Sequence, residues 1–581
     1  MKNFPFKLLA IIPALILGLL VWKYGLNILF WDEWDIFGAD SVAHNLGTLT
    51  WDNMFAQHNE SRNFFPRLLS AYFSRFTSWN PFYGMTASIL LASLTSFNIY
   101  HLSTITLNSS WAKRLILLAL ANLLIFSPMQ WENWLWGLQW ITFIPIAIIT
   151  SALAIIFSQN SLFIKFFSSL LLAIFATFSF ANGMISWIVI FPALILVTRK
   201  SKSALTLMTA GWLFSSALAF AVYFHDYHRP ANSPGFFDAL TQPINVILYF
   251  LAFLGSPLGV NDLVSSQIIG LCILFLLALV CFYLIKINRS EKLLFQVFPW
   301  LCIVSYTLGS AILTTMGRLG LGMQFSLSSR YVTFSTYAIV GLIYLLAILA
   351  EDLKPHLNIQ GSRYLKTLKR IITVSMVGFL LLYPANFTSG VNAMVVNHKN
   401  KLYAKACLSM MYVVKDEECL KQFLFPDPIF LADRIVELDR LGIIQPPLIL
   451  GNTMQGMTSP SIFEAIKYGQ FDGVTKGENN TYIASGWSIL PQYRTAAHAV
   501  ILAYQTPDNL DHPFALVQPQ IERLDVAAEV GEPKYKISGW SKTFSRDLIP
   551  KDAVAVSAWS YDSRVGRAYK IQLTYPINPL K

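Results

Sequence analysis

Charged residues are scarce in this chain. Asp, Glu, Lys and Arg together make 13% of its 581 residues, whereas a soluble domain carries about a quarter. That shortage excludes an ordinary soluble enzyme. There are five cysteines, and no cysteine–histidine spacing resembles a zinc site. The net charge of +11 is not gathered in one patch, which excludes a nucleic-acid surface. The first apolar run starts near Leu8, behind Lys2 and Lys7. It lacks a small-residue cleavage site and further spans follow, so it reads as a retained helix rather than a signal peptide. No repeat relates the halves of the apolar part, and charges stop at the helix ends. A secondary transporter usually has repeats and intramembrane charges. His101 is the main polar exception, and a satisfied packing histidine accounts for it.

Apolar residues dominate instead. The chain is 55% hydrophobic, with 43 Phe, 24 Tyr and 16 Trp, and its mean hydropathy is +0.50. Many runs reach the roughly 20 residues needed to span a bilayer. Helices are expected near 8–28, 84–106, 115–128, 138–157, 162–180, 184–198, 204–224, 266–286, 293–314, 331–350 and 370–386. Basic loops stay cytoplasmic. They are Lys113 and Arg114; Arg199, Lys200 and Lys202; Lys286, Arg289 and Lys292; and Arg363, Lys366, Lys369 and Arg370. Eleven spans from a cytoplasmic N-terminus put all of them inside and the C-terminal segment outside. The stretch INVILYFLAFLGSPLGV (244–260) would break this alternation if it crossed. It reads as re-entrant or interfacial, turned by Gly255, Pro257 and Gly259, with a twelfth crossing helix as the alternative.

Composition changes after Pro384. The expected division is a membrane part at 1–389, an extracytoplasmic helical linker at 390–477 and a β-sandwich-like domain at 478–581. In the linker, DPIFLADRIVELDRLGII has helical apolar spacing. The last part reads as short strands: YIASGW, HAVILAYQT, FALVQP, KYKISGW, AVAVSAWSYD and YKIQLTY. SGW occurs at 485–487 and 538–540, a hint of two related halves. Its tryptophans could stack on sugar rings, though a core tryptophan in each half is the simpler expectation. Cys272, Cys281 and Cys302 fall in spans as packing residues. Cys407 and Cys419, twelve apart in an outer segment, are expected to form a disulfide.

The chemistry is expected on the outer side. The first outer loop, 31–83, opens with FWDEWD and carries Asp32, Glu33, Asp35, Asp40, Asp52 and Glu60, then Arg62, Arg67 and Arg75, with His44 and His58. After Pro66, RLLSAYFSRF is expected to lie on the membrane with Arg67 and Arg75 toward its polar side. The next loop, MQWENWLWGLQW (129–140), surrounds Glu132 with four tryptophans. If helical, it puts Glu132, Trp136 and Gln139 on one face. Tryptophans gather at membrane interfaces regardless of function, but a carboxylate among them needs a partner or a task. FANGM, HDYHRP and GRLGLGMQFSLSSRY form later outer turns, and the last places Arg318, Arg330 and Tyr331 there. Arginine forks suit phosphate oxygens, and snorkelling anchors are the other use for them. Carboxylates and arginines on one side of a bilayer fit a reaction on a lipid phosphate. The carboxylate takes a proton from the acceptor, and the arginines stabilise the leaving phosphate. A divalent metal, magnesium or manganese, would fit between carboxylate and phosphate, but the sequence does not demand one.

An acidic motif directly after the first helix, in a long first outer loop, resembles the GT-C superfamily of membrane glycosyltransferases. FWDEWD, QHNESRNFFPRLL, PMQWENWLWGLQW, FANGM, LGSPLG and SSRY together resemble uncharacterised bacterial GT-C-like proteins over about two-thirds of the chain. The resemblance implies an inverting transferase in a bacterial inner membrane. It would take sugar from a polyprenyl-phosphate donor and pass it to a surface glycan or glycolipid such as lipopolysaccharide. It also implies that a first-loop carboxylate is the base. Here the motif is D-E-W-D, neither an adjacent pair nor D-x-D. Asp32 ranks first, Asp35 second and Glu33 third, because in a helix Asp32 and Asp35 share a face. His58, Glu60, Arg62, Glu132 and Trp136 are then expected to hold acceptor or donor, and Arg318, Arg330 and Tyr331 the phosphate. Three other readings stand beside it. One is a serotype-converting O-antigen glucosyltransferase, one a lipid-linked glycan flippase, and one a scaffold protein. The alternative for WDEWD is that its acids only mark the exit of the first helix.

Overall fold

The computed structural model describes residues 4–77, 79–230, 234–235, 237–287, 290–353, 363–414, 416–458 and 467–576. The chain forms two compact units. One is Met1–Gly25, Ala43–Thr77 and Pro81–Val395; the other is Leu26–Val42, Ser78–Asn80 and Val396–Lys581. The expected membrane part at 1–389 is therefore revised twice. The boundary falls inside a helix, and residues 26–42, which include the start of the first loop, belong with the C-terminal unit.

The first unit is helical. Its main helices are α1 (Phe4–Tyr24), α2 (Phe64–Thr77), α3 (Pro81–Thr106), α4 (Trp111–Ile125), α5 (Trp140–Ile156), α6 (Leu162–Thr177) and α7 (Ile185–Thr198). They continue with α8 (Lys202–Phe224), α9 (Pro243–Gly255), α10 (Leu263–Phe282), α11 (Glu291–Arg318), α12 (Ser329–Leu353) and the start of α13 (Arg363–Ser409). Among the described residues, ten helices are long and apolar enough to cross a membrane, so the chain reads as a multi-pass membrane protein. The expected span 162–180 is the 16-residue α6. At about 24 Å it is roughly one turn short of the ~30 Å hydrocarbon core. The 244–260 stretch forms the 13-residue α9 and then doubles back into α10. The hairpin is tight: a Cβ on Gly255 would lie 1.9 Å from the Ser266 carbonyl oxygen, so only glycine fits there.

Sequence explains the inside and the outside of this bundle. Ser110, Ser161 and Ser290 cap α4, α6 and α11 by accepting N–H groups three residues on. Helix α12 is buried along most of its length. Tyr344 on it stacks on Trp300 at 3.9 Å, and the Trp300 indole N–H donates to Thr106 at 3.1 Å. Leu15, Leu19, Leu207, Phe214 and Ile244 point outward, as lipid-facing residues do. Helix α2 also bares an apolar ridge of Leu68, Tyr72, Phe73 and Phe76. Arg67 is not on an exposed polar side as expected. It is buried and donates to the Asn53 carbonyl at 2.8 Å. The side chain of Arg75 lies outside the described residues.

The second unit joins helices to a sheet. Cys407, near the end of α13, is disulfide-bonded to Cys419 in α14 (Glu417–Phe423), with Cα atoms 6.3 Å apart. Helix α15 (Pro428–Arg440) follows. The first-loop segment packs here. Trp31 N–H donates to the Leu424 carbonyl at 2.8 Å, and the Lys401 ammonium lies 5.0 Å over the Phe30 ring. In chain order the first unit's hairpin holds β1 (Gln57–His58) and β2 (Ser61–Arg62). The sheet holds β3 (Gly469–Lys476), β4 (Thr481–Leu490), β5 (Thr495–Ala496), β6 (Ala499–Gln505), β7 (Asp511–Val517), β8 (Gly539–Ser545), β9 (Ala555–Asp562) and β10 (Arg567–Pro576). Its order is β5-β4-β3-β10-β9-β6-β7, with β8 on β4. The two ends meet over one core, where Phe514 of β7 lies 5.1 Å from Phe544 of β8.

Three expectations change in this sheet. It begins at Gly469, before the expected 478. KYKISGW is a strand only from Gly539, because Pro533–Ile537 form a 3-10 turn. The two SGW segments are not matching halves but antiparallel partners, with Gly486 opposite Trp540 and Trp487 opposite Gly539. Trp487 and Trp540 are both buried. They are core residues and offer no face to a sugar.

Candidate functional site

The first unit gathers polar groups at the end of the bundle where α8 and α11 finish and α12 starts. The hairpin β1–β2 turns at Asn59, a non-glycine residue at φ 47°. Asparagine tolerates this left-handed conformation better than most residues. The turn presents Glu60 to Arg318 at the end of α11, with Oε2 2.6 Å from Nη2. The ion pair is partly solvent-exposed, 33% for Glu60 and 25% for Arg318. Tyr331 lies against Arg318. Burial and the Glu60 charge together hold the Tyr227 hydroxyl above its ordinary value.

Arg62 anchors this hairpin. Its Nε donates to the Tyr223 carbonyl at 2.6 Å and its Nη1 to the Phe55 carbonyl at 2.7 Å. Its Nη2 donates to the His225 carbonyl. Tyr223 returns a bond from its hydroxyl to the Glu60 carbonyl at 2.6 Å. Every arm of the Arg62 fork is engaged with backbone, so Arg62 positions Glu60 rather than offering donors to a ligand. His58 is half-buried, with Nε2 2.8 Å from the Asn59 amide.

Glu132 and Arg330 form the second pair, 3.8 Å apart. Ser329 donates to Glu132 at 2.5 Å. The Arg330 guanidinium stands 6.0 Å over the Trp136 ring, a cation–π arrangement. The expected common helical face for Glu132, Trp136 and Gln139 is absent. The helix Trp131–Leu135 stops at Trp136, which is extended (φ −120°, ψ 117°), and Gln139 is buried in a following 3-10 turn. Glu132 and Trp136 meet at Arg330 instead. Beneath them, Asn133 donates to the Arg330 carbonyl at 3.0 Å and to Thr333 at 2.6 Å, and Thr333 donates to Gln130 at 2.6 Å. This ladder fixes the start of α12. The Arg330 guanidinium donates no hydrogen bond among the described residues, and its Nε is buried beside one carboxylate.

Sequence reading passed over Tyr223, Tyr227, Asn133 and Thr333. Their residues stand in YFHDYHRP, QWENW and SSRYVT, but only the folded structure shows what they meet. Asn182 of FANGM is buried, and among the described residues its amide nitrogen has no partner. Its neighbour Ala181 donates its N–H to Ser61 at 3.1 Å.

The WDEWD carboxylates lie in the second unit. Glu33–Phe37 form a π-helical turn, closed by the Gly38 N–H on the Glu33 carbonyl and preceded by Trp31 at φ 48°. Such turns cluster at functional sites. Glu33 is 2% exposed and accepts the Phe30 N–H at 2.9 Å. Asp40 is buried too, whereas Asp32 and Asp35 are half-exposed. The wider turn removes the expected α-helical alignment of Asp32 with Asp35. Both remain reachable from solvent and Glu33 does not.

Among the described residues, no three His, Cys, Asp or Glu side chains gather as a metal site needs. Glu60 and Glu132 each face an arginine, a setting that disfavours a resident divalent cation. Comparison of the chain with family models, with curated proteins and with solved structures gives no match in any of the three, so the chemistry of these side chains alone carries a functional reading.

Proposed function

We propose that this chain is a GT-C-type membrane glycosyltransferase, moving a sugar from a polyprenyl-phosphate donor to a cell-surface glycan or glycolipid. The observation that carries the reading is the Arg318 and Arg330 end of the bundle, with an apolar groove further along α11. Two arginines each stand beside one carboxylate there, and Tyr331 lies against Arg318. Between α7 and α11 an apolar groove of about 450 Å³ is lined by residues such as Ile188, Pro192, Leu301 and Ile312. Gly309 keeps it open beside Ile185, and Arg318 lies about 13 Å further along the same helix. That length of apolar wall suits a prenyl tail, and guanidinium forks suit its phosphate.

In this reading the acceptor hydroxyl attacks the anomeric carbon of the donor sugar. Its proton goes to a carboxylate base, a role that the resemblance to GT-C transferases gives to Asp32 first and Asp35 second. The bond from that carbon to the phosphate oxygen breaks, and the electron pair leaves with the phosphate, whose growing charge Arg330 and Arg318 stabilise. Glu132 holds Arg330 in place, with Trp136 as its floor.

The test is the surface glycan. Deleting the gene in its host is expected to remove one sugar mass from the surface glycans, and Arg330→Ala supplied in its place is expected not to restore it. Unchanged glycans in the deletion strain would overturn the reading. Whole lipid-linked glycans accumulating inside would replace it with transport.

A further inference from the structure

A second polar region lies at the opposite end of the bundle, about 40 Å from Arg318 along α11. There a cavity of about 550 Å³ opens between the N-termini of α4 and α11 and the end of α12. This is within the range of small-molecule sites.

Its carboxylates are already engaged. Glu351 takes the Lys113 ammonium at 2.9 Å, the Asn108 N–H at 3.1 Å and the Ser109 hydroxyl. Asp352 accepts the Tyr283 hydroxyl at 2.6 Å. Glu291, in the first turn of α11, pairs with Arg199 at 3.1 Å. The lining is otherwise made of donors. Lys292 is exposed and has no ion pair among the described residues. Ser110, Ser290 and Gln296 add hydroxyls and an amide. The caps on Lys113 and Leu293 leave the earlier N–H groups of both helices without an intrahelical partner. Leu293 and Ile348 give one apolar wall.

We propose that this cavity binds a phosphate ester. Donors outnumber open acceptors, Lys292 supplies a charge that is not paired among the described residues, and the volume has room for more than the phosphate itself. A phospholipid headgroup would place its glycerol against Leu293 and Ile348, as basic pockets between membrane helices do. A soluble phosphate would use the same donors. The inference is independent of the transferase reading, because none of these residues belongs to that site.

The full chain is reconstituted in phosphatidylcholine nanodiscs, in nanodiscs that also carry phosphatidylglycerol, and in phosphatidylcholine with inorganic phosphate. Its unfolding midpoint and retained lipid are measured for the wild type, Lys292→Ala and Gln296→Trp. Phosphatidylglycerol is expected to raise the wild-type midpoint and to be retained by native mass spectrometry. Lys292→Ala is expected to weaken this about fivefold, the effect of one surface lysine, and Gln296→Trp to abolish it by filling the cavity. An equal effect of inorganic phosphate supports the site with a soluble ligand. If neither additive shifts the wild type, or both variants respond as wild type does, the proposal is wrong. Should Gln296→Trp fail to fold, the exposed Lys292→Ala decides alone.

Discussion

Residues 31–35 and 130–134 each set acids among tryptophans, and they fold into different units. In the first segment the carboxylates are divided. Glu33 is buried against backbone, while Asp32 and Asp35 stay half-exposed on a π-helical turn. In the second, the one carboxylate, Glu132, is committed to Ser329 and Arg330. Under the transferase proposal the first segment supplies the base and the second positions the ligand.

The comparison can be broken in several places. Asp32→Asn is expected to cost the most, about 10²–10⁴-fold in transfer, with normal membrane levels because the side chain is half-exposed; a purified transfer assay reads it. Arg330→Ala comes next, at about 10²–10³-fold, the loss of one donor to developing charge. Glu33→Ala acts on stability instead. It strips an acceptor from the Phe30 N–H and costs about 1–3 kcal/mol, seen as a lower unfolding midpoint with little change in turnover by the folded fraction.

The smallest effect concerns pH and the sheet. Burial lowers the His498 pKa below its ordinary 6.5 despite the Asp562 carboxylate 3.3 Å away. The unfolded chain then takes up a proton near pH 6.5 that the folded sheet refuses. Stability of this unit is therefore full above that pH and falls as pH drops through it toward the folded value. Asp562, held below its ordinary value by His498 although burial opposes this, adds a further loss below about pH 3.8. Unfolding midpoints between pH 7 and 5 should fall for wild type and flatten for His498→Gln.

Much of the fold was legible in the sequence. Long apolar runs with serine caps announce helices without any partner, and nearly all of the expected helices appear close to their expected places. The misses share a cause. Helix α6 ends early, at Thr177. The QWENWLWGLQW helix breaks at Trp136, where the ring turns to Arg330 nearly 200 residues away in sequence. Residues 26–42 pack with Leu424, Lys401 and Arg434, partners that no local pattern reveals. The SGW pair looked like a repeat because both copies serve one strand pairing, in which Gly486 must lack a side chain to clear the Trp540 ring. In the candidate site, residue types were visible but commitments were not. Arg62 and Arg330 look equivalent as sequence, yet one is locked to three carbonyls and the other donates no hydrogen bond among the described residues.

The most direct test measures kcat and donor KM for Asp32→Asn and Glu132→Gln, with purified protein in nanodiscs and a polyprenyl-phosphate sugar. The account predicts that Asp32→Asn lowers kcat with donor KM unchanged, and that Glu132→Gln chiefly raises donor KM. A collapse of kcat in Glu132→Gln with Asp32→Asn close to wild type would contradict it.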